Sequence, residues 1–300
     1  MLKEKILERI RTTFICFFRN TIYHYTQDPL TLDDKILCVF CMQQSLELLL
    51  KYAIVEEDGY EKIIYKNDIK KSESELISML NEGELRTKGY GELLNDVKEG
   101  GYFSLSSSDY LVISEFQKAR NQIAHMGFEF ISDDLLNGIV QILVSVFTDL
   151  EYKERLSQVN EEDMVNVLRL MLGNNLYFRL INKQELRDEA EKKVKKLTDN
   201  PYYCMECESK SVYIDNSNTE AYKCILYGFR VGTAYAATIK CPVCESNSMY
   251  FDTLNISPSN DVNGHCISCG ANLSISQCDE CGDYYVADLG SCSCGKHNIK

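Results

Sequence analysis

Closely paired cysteines crowd the final hundred residues, and they limit what that stretch can fold into more than any other feature. The pairs are Cys204-x2-Cys207, Cys241-x2-Cys244, Cys266-x2-Cys269, Cys278-x2-Cys281 and Cys292-x-Cys294. A C-x2-C turn sets two sulfur atoms on one side of a tight backbone knuckle. Two facing knuckles then offer zinc a tetrahedron of thiolates. Glycine follows the second cysteine in Cys269-Gly270, Cys281-Gly282 and Cys294-Gly295, which allows the sharp turn under a metal. The chain start, Met1-Leu2-Lys3-Glu4-Lys5, runs straight into a charged amphipathic pattern with no secretory signal, so a cytoplasmic location is expected. In that compartment 14 cysteines point to metal rather than disulfides.

Two pairings fit the spacing. In the preferred one, Cys241 and Cys244 join Cys266 and Cys269 around the strand-like Met249-Tyr250-Phe251. Cys278 and Cys281 join Cys292 and Cys294 around Tyr284-Tyr285-Val286-Ala287. Cys204, Cys207 and Cys224 remain. Cys224-Ile225-Leu226-Tyr227-Gly228 is a C-x2-C-G knuckle with Tyr in place of the fourth cysteine. This predicts three tandem zinc ribbons over 201–300, the first degenerate, and about two structural zinc ions per chain. The competing pairing joins 204/207 to 241/244 and 266/269 to 278/281, and strands Cys292 and Cys294. His265 and His297 adjoin knuckles but are not needed as ligands. Such closed sites are structural and leave no open position for Lewis-acid chemistry.

The first two-thirds carries helical periodicity. Apolar residues from Leu2 to Ile22 recur at helical spacing, and Asp28-Pro29 breaks the pattern. Thr31 can cap a second long helix to about residue 55, with Ile36, Leu37, Phe40, Cys41, Leu48 and Ala53 facing inward. Further helices are expected near 72–81, 90–98, 109–126, 133–153, 161–172 and 183–198. Ile139 to Phe147 is apolar enough to be buried on most sides. Gln184 to Lys196 is so charged that it reads as an exposed spacer. Cys16, Cys38 and Cys41 have no knuckle spacing and read as buried apolar thiols. No apolar run approaches the ~18 residues of a membrane span, so no membrane partner is expected. The predicted class is a multidomain chain: an all-α domain over 1–155, a helical extension over 156–200, and small β modules over 201–300.

At the end of one helical pattern lies Arg120-Asn121-Gln122-Ile123-Ala124-His125-Met126-Gly127. It places a fixed cation and a titratable imidazole on one short piece of backbone. Histidine can take a proton from a ribose 2′-OH near neutral pH, and arginine can hold a phosphate and neutralise its developing charge. At about 100° per residue His125 does not share a face with Arg120, so one chain makes an incomplete site. Two copies crossing on a twofold axis would complete it. A second copy of the spacing, Arg19-Asn20-Thr21-Ile22-Tyr23-His24, competes for the role. The net charge of −13 opposes general nucleic-acid coating. From Pro201 onward the chain has 6 Lys/Arg against 11 Asp/Glu. Any RNA site must be a local positive cleft, to which Arg86 and Lys88 are candidate contributors.

The order of Gln44-Ser45-Leu46-Glu47-Leu48-Leu49-Leu50-Lys51 followed by Arg120-Asn121-x-Ile123-Ala124-His125-x-Gly127 resembles the HEPN superfamily of all-α domains. The resemblance covers roughly the first 150 residues. It maps the family's R-x4-H motif onto Arg120, Asn121 and His125, and its preceding helix onto Glu47 and Lys51. Arg19 and His24 fall in the wrong place for it. One branch carries R-x4-H-x-Y, and Gly127 stands where that Tyr would be. The resemblance implies a metal-independent endoribonuclease leaving 2′,3′-cyclic phosphate and 5′-OH ends. It also implies a homodimer serving as a toxin or anti-phage effector, held in check by an inhibitor or sensor protein. The alternative is a non-catalytic HEPN adaptor for dimerisation or nucleotide binding, whose ribbons dock a partner. A zinc-ribbon DNA-binding regulator is disfavoured by the charge.

Overall fold

The computed structural model describes residues 2–103, 105–126, 131–156, 167–204, 207–215, 221–228, 230–232, 238–251, 256–259, 261–289, 292 and 294. For some of these, His125 among them, only the backbone is described. The chain divides into two compact units, Met1–Lys183 and Gln184–Lys300.

The first unit is helical: α1 Leu2–Tyr25, α2 Leu32–Asp58, α3 Glu73–Glu82, α4 Tyr90–Gly100, α5 Ser107–Met126, α6 Asp133–Leu156 and α7 Val167–Ile181. Helix α1 buries Leu2, Ile6, Ile10, Phe14, Phe18 and Ile22, one stripe at four-residue spacing, and packs along α2. Phe14 and Phe18 meet Phe147 of α6 at ring separations of 5.3 and 5.8 Å. Each such side chain contributes about 1.5–3 kcal/mol on burial. Thr31 caps α2 through a capping box in which its Oγ1 accepts from Asp34 N at 3.2 Å. Ser72 and Glu75 do the same for α3.

Helix α2 departs from the expected face. Leu37 and Phe40 are 45% and 53% exposed, while Cys38, Val39, Met42, Leu46, Leu49 and Leu50 are buried. The helix is apolar around most of its circumference, so periodicity alone does not choose the inward side. By length and composition α2 also meets the test for a membrane span, contrary to expectation, and 67% of its most apolar window is buried inside the protein. Cys38 and Cys41 are buried as expected, whereas Cys16 is exposed. Helix α6 buries Leu136, Ile139, Val140, Leu143 and Phe147, and Gly138 allows close approach to Val112 of α5. Helix α7 is broken at Gly173, at φ 74°, so the expected helix does end near 172, and a second helical run continues to Ile181. Residues 161–166, the start of the expected helix there, lie outside the described residues.

The second unit opens with α8, Gln184–Val194. It is not the bare spacer its charge suggests. Leu186, Ala190 and Val194 form a buried stripe at i, i+4, i+8, and Glu191 accepts a hydrogen bond from Lys210 N at 3.1 Å. The rest is antiparallel β. Strands β1 (Val212–Asp215), β2 (Ala221–Cys224) and β3 (Arg230–Gly232) make one sheet. Strands β4 (Thr238–Ile239), β5 (Met249–Phe251), β6 (Val262–Cys266), β7 (Asn272–Gln277) and β8 (Tyr284–Val286) make a second sheet in sequential order. Met249, Ile256, Ile275 and Val286 share one small core under this sheet. The last two cysteine modules are therefore joined by pairing of β6 with β7, not strung as separate beads.

Candidate functional site

Three groups of cysteines come together among the described residues. Cys241, Cys244, Cys266 and Cys269 form one, Cys278, Cys281, Cys292 and Cys294 a second, and Cys204, Cys207 and Cys224 a third. Within each group the sulfur atoms lie within 4.8 Å of one another, a grouping able to hold a metal ion. The first of the two pairings weighed above is the one present. Cys241 Sγ is 3.8 Å from Cys269 Sγ, and Cys244 Sγ is 3.6 Å from Cys266 Sγ. Cys278 and Cys294 are 3.7 Å apart, and Cys281 and Cys292 are 3.3 Å apart. Thiolates around one tetrahedral zinc stand about 3.8 Å apart, given bond lengths of about 2.3 Å. The donor sets fit such an ion in both number and spacing.

The backbone explains why these turns form. The fifth residue of each knuckle donates back to the first: Glu208 to Cys204, Gly228 to Cys224, Glu245 to Cys241, Gly270 to Cys266 and Gly282 to Cys278, at 2.8–3.0 Å. Each of these fifth residues has φ between 58° and 80°. Glycine suits that conformation, and Glu208 and Glu245 adopt it at a steric cost.

Hydroxyls complete the sulfur environment. Ser246 Oγ lies 2.9 Å from Cys244 Sγ, and Ser248 Oγ lies 3.1 Å from Cys266 Sγ. Hydrogen bonds from the Ser246 side chain and backbone pull the Cys244 thiol down to about 6. Burial raises Cys241, and burial with neighbouring thiols pushes Cys269 up to about 12. Against burial, hydrogen bonds, the one from Ser248 first among them, also hold Cys266 below its ordinary value, so the group takes negative charge readily at two sulfurs and resists it at the other two.

The first module repeats the second in detail. Cys207-Glu208-Ser209-x-Ser211 matches Cys244-Glu245-Ser246-x-Ser248, a C-E-S-x-S signal present in the sequence but overlooked in reading it. Ser209 Oγ is 3.0 Å from Cys207 Sγ, and Ser211 Oγ is 3.2 Å from Cys224 Sγ. Val212 pairs with Cys224 just as Met249 pairs with Cys266. Tyr227 fills the position of Cys269. It is buried, with its hydroxyl 3.0 Å from Cys204 Sγ. Tyr203 packs on Gly270 and donates its N–H to Ile267 O at 2.8 Å, docking the first module on the second. His265 is buried against Asn272 rather than among the sulfurs, and His297 lies outside the described residues.

In the helical unit, Ile113 and Phe116 form the buried stripe of α5, and Arg120 follows at the next turn of the same stripe, half-buried. A cation thus stands where the periodicity of a core-facing helix would place an apolar residue. Its Nη1 donates to Asn121 Oδ1 at 3.1 Å. The backbone of His125 belongs to the last turn of α5; its side chain, like all of Gly127, lies outside the described residues. Glu47 and Lys51 pair with each other at 2.7 Å on α2, which packs against α5. The second R-x4-H copy is engaged elsewhere: His24 Nδ1 is 3.0 Å from Asp34 Oδ1, while Arg19 is exposed.

A cleft of about 310 Å³ is lined by Tyr65, Lys66, Arg86, Lys88 and Glu92 among others. The Ile64–Thr87 bridge holds its two walls together. Arg86 reaches buried Asp68 at 3.4 Å, and Lys88 reaches Asp96 at 2.7 Å. Helix α4 runs antiparallel to α5: a Cβ on Gly91 would stand 3.9 Å from Gln117, and Lys98 lies over the Tyr110 ring. The start of α4, and the cleft with it, therefore sits toward the Arg120 end of α5. No protein-family model matches the chain, and neither a curated protein nor a solved structure matches it.

Proposed function

We propose that the helical unit is a metal-independent endoribonuclease of the HEPN type, with Arg120, Asn121 and His125 as its working residues. The observation that carries this reading is the placement of Arg120. It is a cation on the inward stripe of α5, and the start of α4, which carries Glu92 of the cleft wall, lies toward the same end of that helix. In this reading Lys66, Arg86 and Lys88 contact the RNA phosphates in competition with Asp68, Asp96 and Glu92, in a chain of net charge −13.

In this mechanism His125 removes the proton from a ribose 2′-OH, and the oxygen attacks the adjacent phosphorus. Arg120 binds the non-bridging oxygens and stabilises the charge that grows on them. Asn121, already bonded to Arg120, fixes the guanidinium plane. The 5′-oxygen leaves and takes a proton from water, giving a 2′,3′-cyclic phosphate and a 5′-OH. Two copies of α5 at a twofold axis complete the cleft, so the working form is a homodimer. The biological reading that follows is a cytoplasmic toxin or defence effector restrained by an inhibitor or sensor protein. The two four-cysteine groups hold structural zinc, whose binding energy folds their modules. The test is RNA-end sequencing from cells expressing wild type or His125→Ala: cyclic-phosphate ends that need His125 support the reading.

The chain's acidity favours a second reading, a non-catalytic adaptor whose cysteine modules dock a partner. It predicts identical RNA ends in both strains.

A further inference from the structure

The third cysteine group is short of one sulfur, and the structure puts an oxygen where that sulfur would be. The equivalence with the neighbouring module runs through every element of the site. Cys204, Cys207 and Cys224 occupy the places of Cys241, Cys244 and Cys266, with the same knuckle hydrogen bonds and the same two serine hydroxyls on two of the sulfurs. Ile225 N donates to Ser211 O at 2.9 Å, as Ile267 N donates to Ser248 O at 3.0 Å. Gly228, at φ 72°, closes the knuckle as Gly270 does at φ 80°. The fourth donor of the complete site, Cys269, faces Cys241 at 3.8 Å; in the short site Tyr227 Oη faces Cys204 at 3.0 Å. Cys207 and Cys224 stand 3.9 Å apart, the separation expected across a shared tetrahedral ion. All three sulfurs and the Tyr227 ring are buried, at 0–1% exposure.

We propose that Cys204, Cys207, Cys224 and Tyr227 form a third zinc site with three sulfur donors and one phenol oxygen. The three thiols and the phenol give up their protons on binding, since zinc takes deprotonated donors. An oxygen and a sulfur sharing a zinc stand about 3.5 Å apart, given bonds of about 2.0 and 2.3 Å. Tyr227 therefore needs to draw back by about half an ångström, within reach of a small ring rotation. This revises the expectation of about two zinc ions. That figure counted Tyr227, in the place of the fourth cysteine, as a missing ligand. The site stands apart from the proposed RNA chemistry, and its metal count is read without any activity measurement.

The experiment is zinc and protein quantification on the full chain after removal of loosely bound metal, for wild type, Tyr227→Phe and Tyr227→Cys. The expected counts are three for wild type, two for Tyr227→Phe and three for Tyr227→Cys, given the three cysteine groups. Circular dichroism of each variant establishes that the helical signal is retained. Two zinc ions in the wild type would overturn the proposal, most plainly if Tyr227→Cys raised the count to three. So would three in both wild type and Tyr227→Phe with equal release to a chelator, which would leave the phenol no part in binding. If Tyr227→Phe fails to fold, two zinc ions in the wild type against three in Tyr227→Cys still overturns the proposal.

Discussion

His24 Nδ1 lies 3.0 Å from Asp34 Oδ1, joining the end of α1 to the capping box that starts α2. This pair gives the first R-x4-H copy a structural task. The hydrogen bond from His24, then those from Thr31, hold the Asp34 carboxyl below its usual range. A depressed carboxyl adds stability above its unfolded pKa, about 3.9, and that stability is lost as pH falls through the lower native value. Asp34→Asn should therefore lower the urea midpoint at pH near 6, with the gap to wild type closing in strong acid. A gap of constant size across that range contradicts this assignment. Arg19→Ala and His24→Ala should keep RNA cleavage.

The cleft prediction concerns salt. Lys66→Ala and Lys88→Ala should each weaken RNA binding about equally for all sequences, and each should reduce the slope of log affinity against log salt by about 0.7–1. An unchanged slope in both would place the phosphates elsewhere.

The second sheet links the two four-cysteine groups through the pairing of β6 with β7. A Cβ on Gly264 would stand 2.5 Å from Ile275 Cγ1 and 3.2 Å from Met249 Sδ, so Gly264→Ala forces overpacking in the shared core. A loss of about 1–3 kcal/mol is expected in denaturant titration of the second unit. Cys241→Ser and Cys278→Ser should each remove one zinc outright and speed chelator release from the neighbouring group, because β6 and β7 are paired. Circular dichroism of the helical unit should hardly change. Independent release rates would mean that the shared sheet transmits nothing.

Much of the second unit was legible because metal chemistry leaves little freedom in cysteine spacing. Knuckle spacing left two pairings for the groups of Cys241 and Cys278, and the one that uses Cys292 and Cys294 is the one present. The serines and Tyr227 were harder to read, since their roles depend on a repeat whose loops differ in length. In the helical unit, α1 was legible from its single apolar stripe, and α2 was not, because Leu37 and Phe40 are as apolar as the buried Val39 and Leu46. Helix α8 hid its three buried residues among charges on the other faces. Arg120 was visible as a motif, but its place on the inward stripe of α5 came only with the fold.

If the cleft is shared across a twofold axis, the protein should be a dimer by light scattering at the concentrations where it cuts RNA. Mixing Arg120→Ala with His125→Ala chains should restore part of the activity that each lacks alone. A monomer with full activity contradicts the shared cleft.

The most direct measurement is the chemistry of the RNA ends produced by purified wild type, Arg120→Ala and His125→Ala, in excess EDTA for as long as the cysteine groups keep their metal. The account predicts 2′,3′-cyclic phosphate and 5′-OH ends from the wild type. Cleavage should fall by about 10²-fold or more in either variant, with the helical fold retained. Wild-type cleavage that requires added magnesium, or equal cleavage by all three proteins, would contradict it.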